Sequence, residues 1–202
     1  DTSRTVRLYK QMVPPAAIRG TDGLPHGERG VVWANGSVAW GDDQYSFIKI
    51  YDKDLALVST ISTYTAALSY ESLGFSRTMQ RMYVAYDDGA TKSIDAWDSA
   101  GTLLDTWTTT IAFFIQHVAV NADESILYYA HGGVSTILRW DLVNDVALAD
   151  LVADTAGYEI ADIMVLEDDT ILALYLQDAS TPRDVYVKHY STAGATLHTY
   201  SF

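Results

Sequence analysis

Apolar residues recur at every second position in short runs along most of the chain. Phe47-Ile48-Lys49-Ile50-Tyr51, Arg81-Met82-Tyr83-Val84-Ala85-Tyr86 and Asp184-Val185-Tyr186-Val187-Lys188-His189-Tyr190 show the pattern. These runs are rich in β-branched and aromatic residues, and Gly, Asp, Asn and Ser separate them. That alternation predicts short, half-buried strands joined by tight turns. No stretch combines a helical period with capping residues at both ends.

One pattern repeats within the runs. A β-branched residue is followed three positions later by Tyr or Trp, then by a polar residue and a turn. It occurs at Val6-Tyr9, Ile48-Tyr51, Ile94-Trp97, Ile137-Trp140 and Val187-Tyr190, so the aromatic residues stand 42, 46, 43 and 50 positions apart. Strands surround each aromatic residue. In one unit they are Phe114 to Val120, Ile126 to Ala130, Thr136 to Leu142 and Val146 to Val152. In the next they are Ala161 to Leu166, Ile171 to Leu176, Val185 to Tyr190 and Thr196 to Phe202. Four strands in about 40–50 residues is the period of a propeller blade. A sheet that small cannot bury both faces alone, whereas copies stacked face to face can. On a strand, residues three apart point to opposite faces. The β-branched residue and the aromatic one can therefore pack on different neighbouring blades.

The chain is accordingly read as a single all-β domain over 1–202, a β-propeller with four-stranded antiparallel blades. Units 26–65, 66–112, 113–156 and 157–202 are complete. An N-terminal partial unit, 1–25, holds the strand Thr5 to Lys10 with Ala16 to Arg19 beside it, and Pro14-Pro15 limits the latter to an edge. A five-bladed ring follows, its fifth blade composite or incomplete, completed within the chain, by a larger parent chain or by an oligomeric partner. The start Asp1-Thr2-Ser3-Arg4 has neither an initiator Met nor a hydrophobic signal core, which reads as a processed form or excised fragment.

Composition sharpens this picture. The acids are 21 Asp and only 5 Glu, against 13 Lys and Arg, for a net charge of −13. Aspartate favours turns because its short carboxylate accepts from nearby backbone N–H groups. The doublets Asp42-Asp43, Asp87-Asp88 and Asp168-Asp169 lie where hairpin turns are expected. An acidic surface repels nucleic-acid phosphates, so no nucleic-acid partner is expected. The absence of cysteine removes thiol nucleophiles, thiolate metal sites and disulfides. Apolar runs of about 5–6 residues fall far short of the ~20 that span a bilayer as a helix, so no membrane insertion is expected.

Val118-Ala119-Val120-Asn121-Ala122-Asp123-Glu124-Ser125-Ile126-Leu127-Tyr128-Tyr129, continuing to Ile137-Leu138-Arg139-Trp140-Asp141-Leu142, resembles a blade of bacterial YVTN-type propellers. Ile163-Met164-Val165-Leu166-Glu167-Asp168-Asp169-Thr170-Ile171-Leu172 with Tyr190-Ser191-Thr192-Ala193-Gly194-Ala195-Thr196-Leu197 is similar to NHL-type units. As architecture the resemblance covers nearly the whole chain. It implies a propeller without fixing an activity, because such blades serve lactonases, dehydrogenases, receptors, scaffolds and surface or virion proteins. The Trp-Asp pairs 97–98 and 140–141 resemble the WD40 dipeptide. The Gly-His pair of that family is missing, since His131 precedes Gly132-Gly133, and the chain departs from the WD40 pattern.

Candidate chemistry is sparse. The histidines 26, 117, 131, 189 and 198 lack metal-ligand spacing. His117 and Asp162, on innermost strands, are the weak candidates for a metal in the channel. No cofactor is expected; Asp52-Lys53-Asp54 and the Asp doublets offer hard oxygen ligands for calcium, but the full alternating acidic loop is absent and turn chemistry explains these residues. Ser46-Phe47-Ile48-Lys49 has the Ser-x-x-Lys spacing, but a strand puts the two side chains on opposite faces. Asn35-Gly36-Ser37 reads as a hairpin turn.

A binding rim is the more natural site. The loops between second and third strands bring Asp42, Asp43, Gln44, Tyr45, Asp87, Asp88, His131, Asp178 and Arg183 to one end of the sheets. Acids beside an exposed aromatic suit a protein or glycan partner. The expected function is a non-enzymatic interaction module, part of a larger extracellular, surface or virion-like assembly. The alternatives are a lactonase-type metal-dependent hydrolase using the channel, with Glu71, Ser76, Gln116, His117, Glu159 and Asp162 as its residues, and a lectin-like binder using Tyr45.

Overall fold

The computed structural model describes residues 30–42, 47–62, 69–75, 80–87, 92–109, 115–131, 135–152, 158–177 and 184–202. They form four antiparallel sheets of four strands, each sheet from one continuous stretch of chain. The first holds β1 (Gly30–Val32), β2 (Val38–Asp42), β3 (Phe47–Tyr51) and β4 (Leu57–Ile61). The second holds β5 (Ser69–Phe75), β6 (Met82–Asp87), β7 (Lys92–Trp97) and β8 (Leu103–Thr109). The third holds β9 (Ile115–Val120), β10 (Ile126–His131), β11 (Ile137–Asp141) and β12 (Val146–Val152). The fourth holds β13 (Tyr158–Val165), β14 (Ile171–Gln177), β15 (Val185–Tyr190) and β16 (Thr196–Ser201). The expected partial unit 1–25, with Tyr9, lies outside the described residues.

The register repeats from sheet to sheet. Val32–Val38–Tyr51–Leu57 form one cross-strand row, and Phe75–Met82–Trp97–Leu103, Val120–Leu127–Trp140–Ala147 and Val165–Ile171–Tyr190–Thr196 form its equivalents. The repeating aromatic residue thus closes the third strand of three sheets and is the last residue but one of β11 in the other. The residue after it explains the turn. Asp52 accepts from the N–H groups of Asp54 and Ala56, each at 2.9 Å, and Asp98 accepts from Ala100 and Thr102 at 2.9 and 2.8 Å. In the fourth sheet Ser191 takes this role, its Oγ accepting from Ala195 N at 3.1 Å. The Asp of each Trp-Asp pair is therefore a turn former, satisfying backbone donors that the strands cannot.

Packing follows the same repeat. Ala39, Ile48 and Ile50 of the first sheet meet Met82, Val84 and Trp97 of the second. Tyr83, Ala85 and Ile94 on the other face of the second sheet meet Val118, Val120, Leu127, Tyr129 and Trp140 of the third. Tyr128, Ala130 and Ile137 of the third meet Ile163, Ile171, Ala173, Tyr175 and Tyr190 of the fourth. In each case the aromatic residue faces the preceding sheet and the β-branched residue faces the following one. Each fully buried Ile contributes about 1.5–3 kcal/mol through removal from water. These clusters join sheets in series, and none of them joins the fourth sheet to the first.

The strands β5, β9 and β13 lie along one side of the stack, where β9 packs against both β5 and β13. Each carries a bulge at the equivalent place, with Glu71, Gln116 and Ala161 as the extra residues. The bulge explains one departure from the sequence pattern. Alternation places the start of β13 at Ala161, whereas the strand begins at Tyr158. The extra residue breaks the period of two and hides the upstream half.

Candidate functional site

Antiparallel hairpins divide the connections between two ends of the sheets. At one end lie the β1–β2, β9–β10 and β13–β14 turns together with those after each third strand. These turns interlock neighbouring sheets. Asn35 donates to Ser99 Oγ at 3.0 Å, linking the first and second sheets, and Ala122 N donates to Asp169 Oδ1 at 3.0 Å, linking the third and fourth. Asp123 and Asp168 accept from Ser125 and Thr170, whose hydrogen bonds hold both carboxyls below the usual carboxylate range. At these two positions the carboxylates serve the turns.

Between the second and third sheets the same end opens into a polar cleft of about 510 Å³, lined by Gln80, Arg81, Ala122, Asp123 and Glu124. Arg81 Nε lies 3.3 Å from Glu124 Oε2, and the Tyr83 hydroxyl donates to the same oxygen at 3.3 Å. Burial first, and then the charge of Glu124, push the Tyr83 phenol well above its ordinary value. From the sequence Glu124 stands out only as one residue of the run that resembles a YVTN-type blade. The missed signal is its left-handed backbone (φ 58°), at a turn position that Gly36 and Asp169 occupy in other sheets. A glutamate accepting that conformation gains a position from which its carboxylate reaches the neighbouring sheet.

The opposite end carries the predicted rim. Asp42, Asp87 and His131 are the last residues of β2, β6 and β10, so the backbone brings these three strand ends to one side. Their side chains, and Asp43, Gln44, Tyr45, Asp88, Asp178 and Arg183 entirely, lie outside the described residues.

The channel candidates do meet. His117 and Asp162 each follow the bulge of their inner strand, at equivalent positions on β9 and β13. Their Nδ1 and Oδ1 atoms stand 3.7 Å apart, an ion pair when the imidazole is protonated. The histidine side chain is buried and the aspartate is mostly exposed. Ser72 holds the corresponding place on β5. Among the described residues no group of three or more His, Asp or Glu side chains converges as a metal site. No helix among them is long and apolar enough to cross a membrane.

The stacked sheets and their repeating register define a β-propeller type of repeat, and comparison with solved structures agrees. The Kuenenia stuttgartiensis hydrazine synthase superposes with a TM-score of 0.69 at 13% identity, covering 92% of this chain and 52% of that one. U3-55K gives 0.64 at 13% identity over 85% and 52%, and the WD40 repeats of RRP9 give 0.63 at 13% over 86% and 49%. The likeness is one of fold. The chain spans about half the length of each of these structures. No protein-family profile and no curated protein sequence matches it.

Proposed function

We propose that the protein is a non-enzymatic interaction module, binding a protein partner at the end of the sheets where β2, β6 and β10 terminate. The observation that supports this reading is topological. Asp42, Asp87 and His131 end three successive second strands on one side, and the sequence continues from them into Asp43, Asp88 and their neighbours. With a net charge of −13, the natural complement is a basic protein surface. The similar U3-55K and RRP9 structures show only that this fold is used in other proteins; the charge and the topology carry the proposal. We infer the YVTN- or NHL-like blade type from the Asp-containing turns at 123–125 and 168–170, and a larger extracellular, surface or virion-like assembly as the setting.

Immobilised lysine-rich and glutamate-rich peptides provide the test. The chain should bind the basic peptide, release it as salt rises, and lose it when Asp42, Asp43, Asp87 and Asp88 are all changed to Asn. Equal retention by the variant would refute the rim. Glycan binding lost on Tyr45→Ala, or lactone hydrolysis that depends on His117 and Asp162, would replace this reading with the lectin or the hydrolase.

A further inference from the structure

The repeating register shows which face of each sheet receives the next one. Ala39, Tyr83 and Tyr128 on the second strands, with Ile48, Ile94 and Ile137 on the third, are buried against the following sheet. In the fourth sheet the receiving face carries Leu172 and Val187, which with Leu174 and Met164 line an apolar hollow of about 190 Å³. Beside that hollow the same face carries a polar cluster. His189 on β15 and His198 on β16 pair directly across the two strands, in the row next to Val187 and Tyr200. His189 is half-buried and His198 is exposed. The two stand nine positions apart in the sequence, so the hairpin register alone brings them together.

The repeat does not call for a histidine pair at this place. The equivalent cross-strand pairs are Ile50 with Ser59, Ala96 with Asp105 and Arg139 with Leu148. Two of those third-strand residues, Ile50 and Ala96, are fully buried core. Paired imidazoles are therefore a property of the fourth sheet and not of its architecture.

A hydrogen-bond relay orients one of the rings. The Thr170 hydroxyl donates its only proton to Asp168 Oδ1 at 2.6 Å. Thr170 Oγ1 can then only accept from His189 Nε2, which lies 2.7 Å away. With Nε2 carrying the proton, the neutral imidazole keeps its lone pair on Nδ1. In the third sheet the equivalent hydroxyl, Ser125, also donates to its turn aspartate at 2.6 Å, but accepts from Asn121 Nδ2. Only in the fourth sheet does this turn device reach a histidine. A histidine whose N–H is held through a hydroxyl by a carboxylate has the outer support that metal-bound histidines use.

The ring spacing fits a shared ion. The His189 and His198 centres are 6.0 Å apart, with their planes 26° from parallel. Two imidazoles that each bond one ion through a nitrogen at about 2.0–2.1 Å have centres about 5–6.5 Å apart. Rotation about the broad Cβ–Cγ torsion of the exposed His198 aims its nitrogen at that point. Tyr200 flanks His198 on the far side, its ring centre 6.2 Å away, and is 49% exposed, so an ion reaches the pair from solvent. The net charge of −13 favours cations near this surface.

We propose that His189 and His198 form a two-histidine site for a divalent transition-metal ion of the Cu2+, Ni2+ and Zn2+ class. His189 binds through Nδ1, Asp168 and Thr170 act as positioning residues, and water fills the remaining coordination positions. Imidazole pairs select these ions over Mg2+ and Ca2+, which prefer oxygen. A bound ion ties β16, the outermost strand of this sheet, to β15.

Calorimetric titration of the full chain, carrying no polyhistidine tag, tests the site with Ni2+ and Zn2+ salts in a non-chelating buffer. One ion per chain should bind, and Ca2+ should not compete. His189→Gln and His198→Gln should each lose the binding, and circular dichroism should show both variants folded. Thr170→Val should keep the stoichiometry and weaken affinity about tenfold. A variant with His26→Gln and His131→Gln should bind as the parent does. Cu2+ should bind more tightly than either ion, and its electron paramagnetic resonance should show coupling to two imidazole nitrogens. Absence of binding in the parent overturns the proposal. So does an ion retained by both His189→Gln and His198→Gln, or a Cu2+ spectrum with a single imidazole. Full affinity in Thr170→Val overturns the positioning role of the relay.

Discussion

Gly36 and Gly194 share a backbone conformation, φ 86°, and differ in what surrounds them. That makes them a matched pair for measuring how tightly neighbouring sheets are locked. Replacing either by Ala imposes the left-handed penalty of about 1–2 kcal/mol, offset by about 0.4–1 kcal/mol from the stiffer unfolded chain. At Gly36 the added Cβ meets only the Lys53 Cβ, at 3.1 Å, on an exposed turn that can yield. At Gly194 it collides with the Leu151 carbonyl oxygen, which belongs to the edge strand of the preceding sheet. Backbone of a hydrogen-bonded strand cannot swing aside, so the fourth sheet must shift as a body, at a further cost of about 1–3 kcal/mol. The expected losses are roughly 0.5–1.5 kcal/mol for Gly36→Ala and 2–4 kcal/mol for Gly194→Ala. Urea unfolding followed by both tryptophan fluorescence and far-ultraviolet circular dichroism measures them. Coincident transitions license the comparison, and the unfolded-state effect, common to both changes, cancels. Losses equal within about 0.5 kcal/mol would refute the idea that the β15–β16 turn locks onto β12.

Three further outcomes follow from the buried tyrosines, the cleft and the turns. Burial, reinforced by Asp150, pushes the Tyr129 phenol up to about 12, so the folded chain keeps a proton that the unfolded chain loses near pH 10. Its contribution is complete below pH 10 and is lost as pH rises from 10 to 12, at up to about 1.4 kcal/mol per pH unit; Tyr129→Phe should flatten alkaline denaturation curves over that window. Glu124→Gln removes the charge shared by Arg81 and Tyr83, so the Tyr83 phenol should titrate lower by ultraviolet difference spectroscopy, while an unchanged titration would remove Glu124 from its environment. Asp98→Ala leaves the N–H groups of Ala100 and Thr102 without their side-chain acceptor and should destabilise the second sheet by about 0.5–2 kcal/mol in the same urea assay, with Asp98→Asn recovering part of it.

The sheet pattern was legible because each unit repeats its own signals. The step from β-branched residue to aromatic residue located every third strand, and the following Asp or Ser located the turn. Val185–Tyr190 emerged with the ends the alternation predicted. What stayed hidden has physical causes. The bulge at Ala161 broke the alternation and concealed the start of β13. The Arg81–Glu124–Tyr83 cleft joins residues more than forty positions apart through a turn whose glutamate reads locally as an ordinary polar residue. The receiving face of the fourth sheet looked like any other strand pair, because alternation tells which side chains share a face and not whether that face is covered. His117 and Asp162 could be assigned to inner strands, but their approach depended on matching bulges in two sheets.

Among the described residues every sheet comes from one unbroken stretch of chain and packs on its sequence neighbours, the arrangement of a one-dimensional array. Stability then belongs to each sheet and to each junction separately, and unfolding can start at an end and advance by whole sheets. Amide protons of β9, held by junctions on both sides, should exchange only through the largest opening, whereas those of β16, exposed along its whole length, should exchange through local fraying. Among the described sheets the fourth, with β16 exposed along its whole length, is therefore where proteases, and any molecule able to cover its open face, have the greatest leverage.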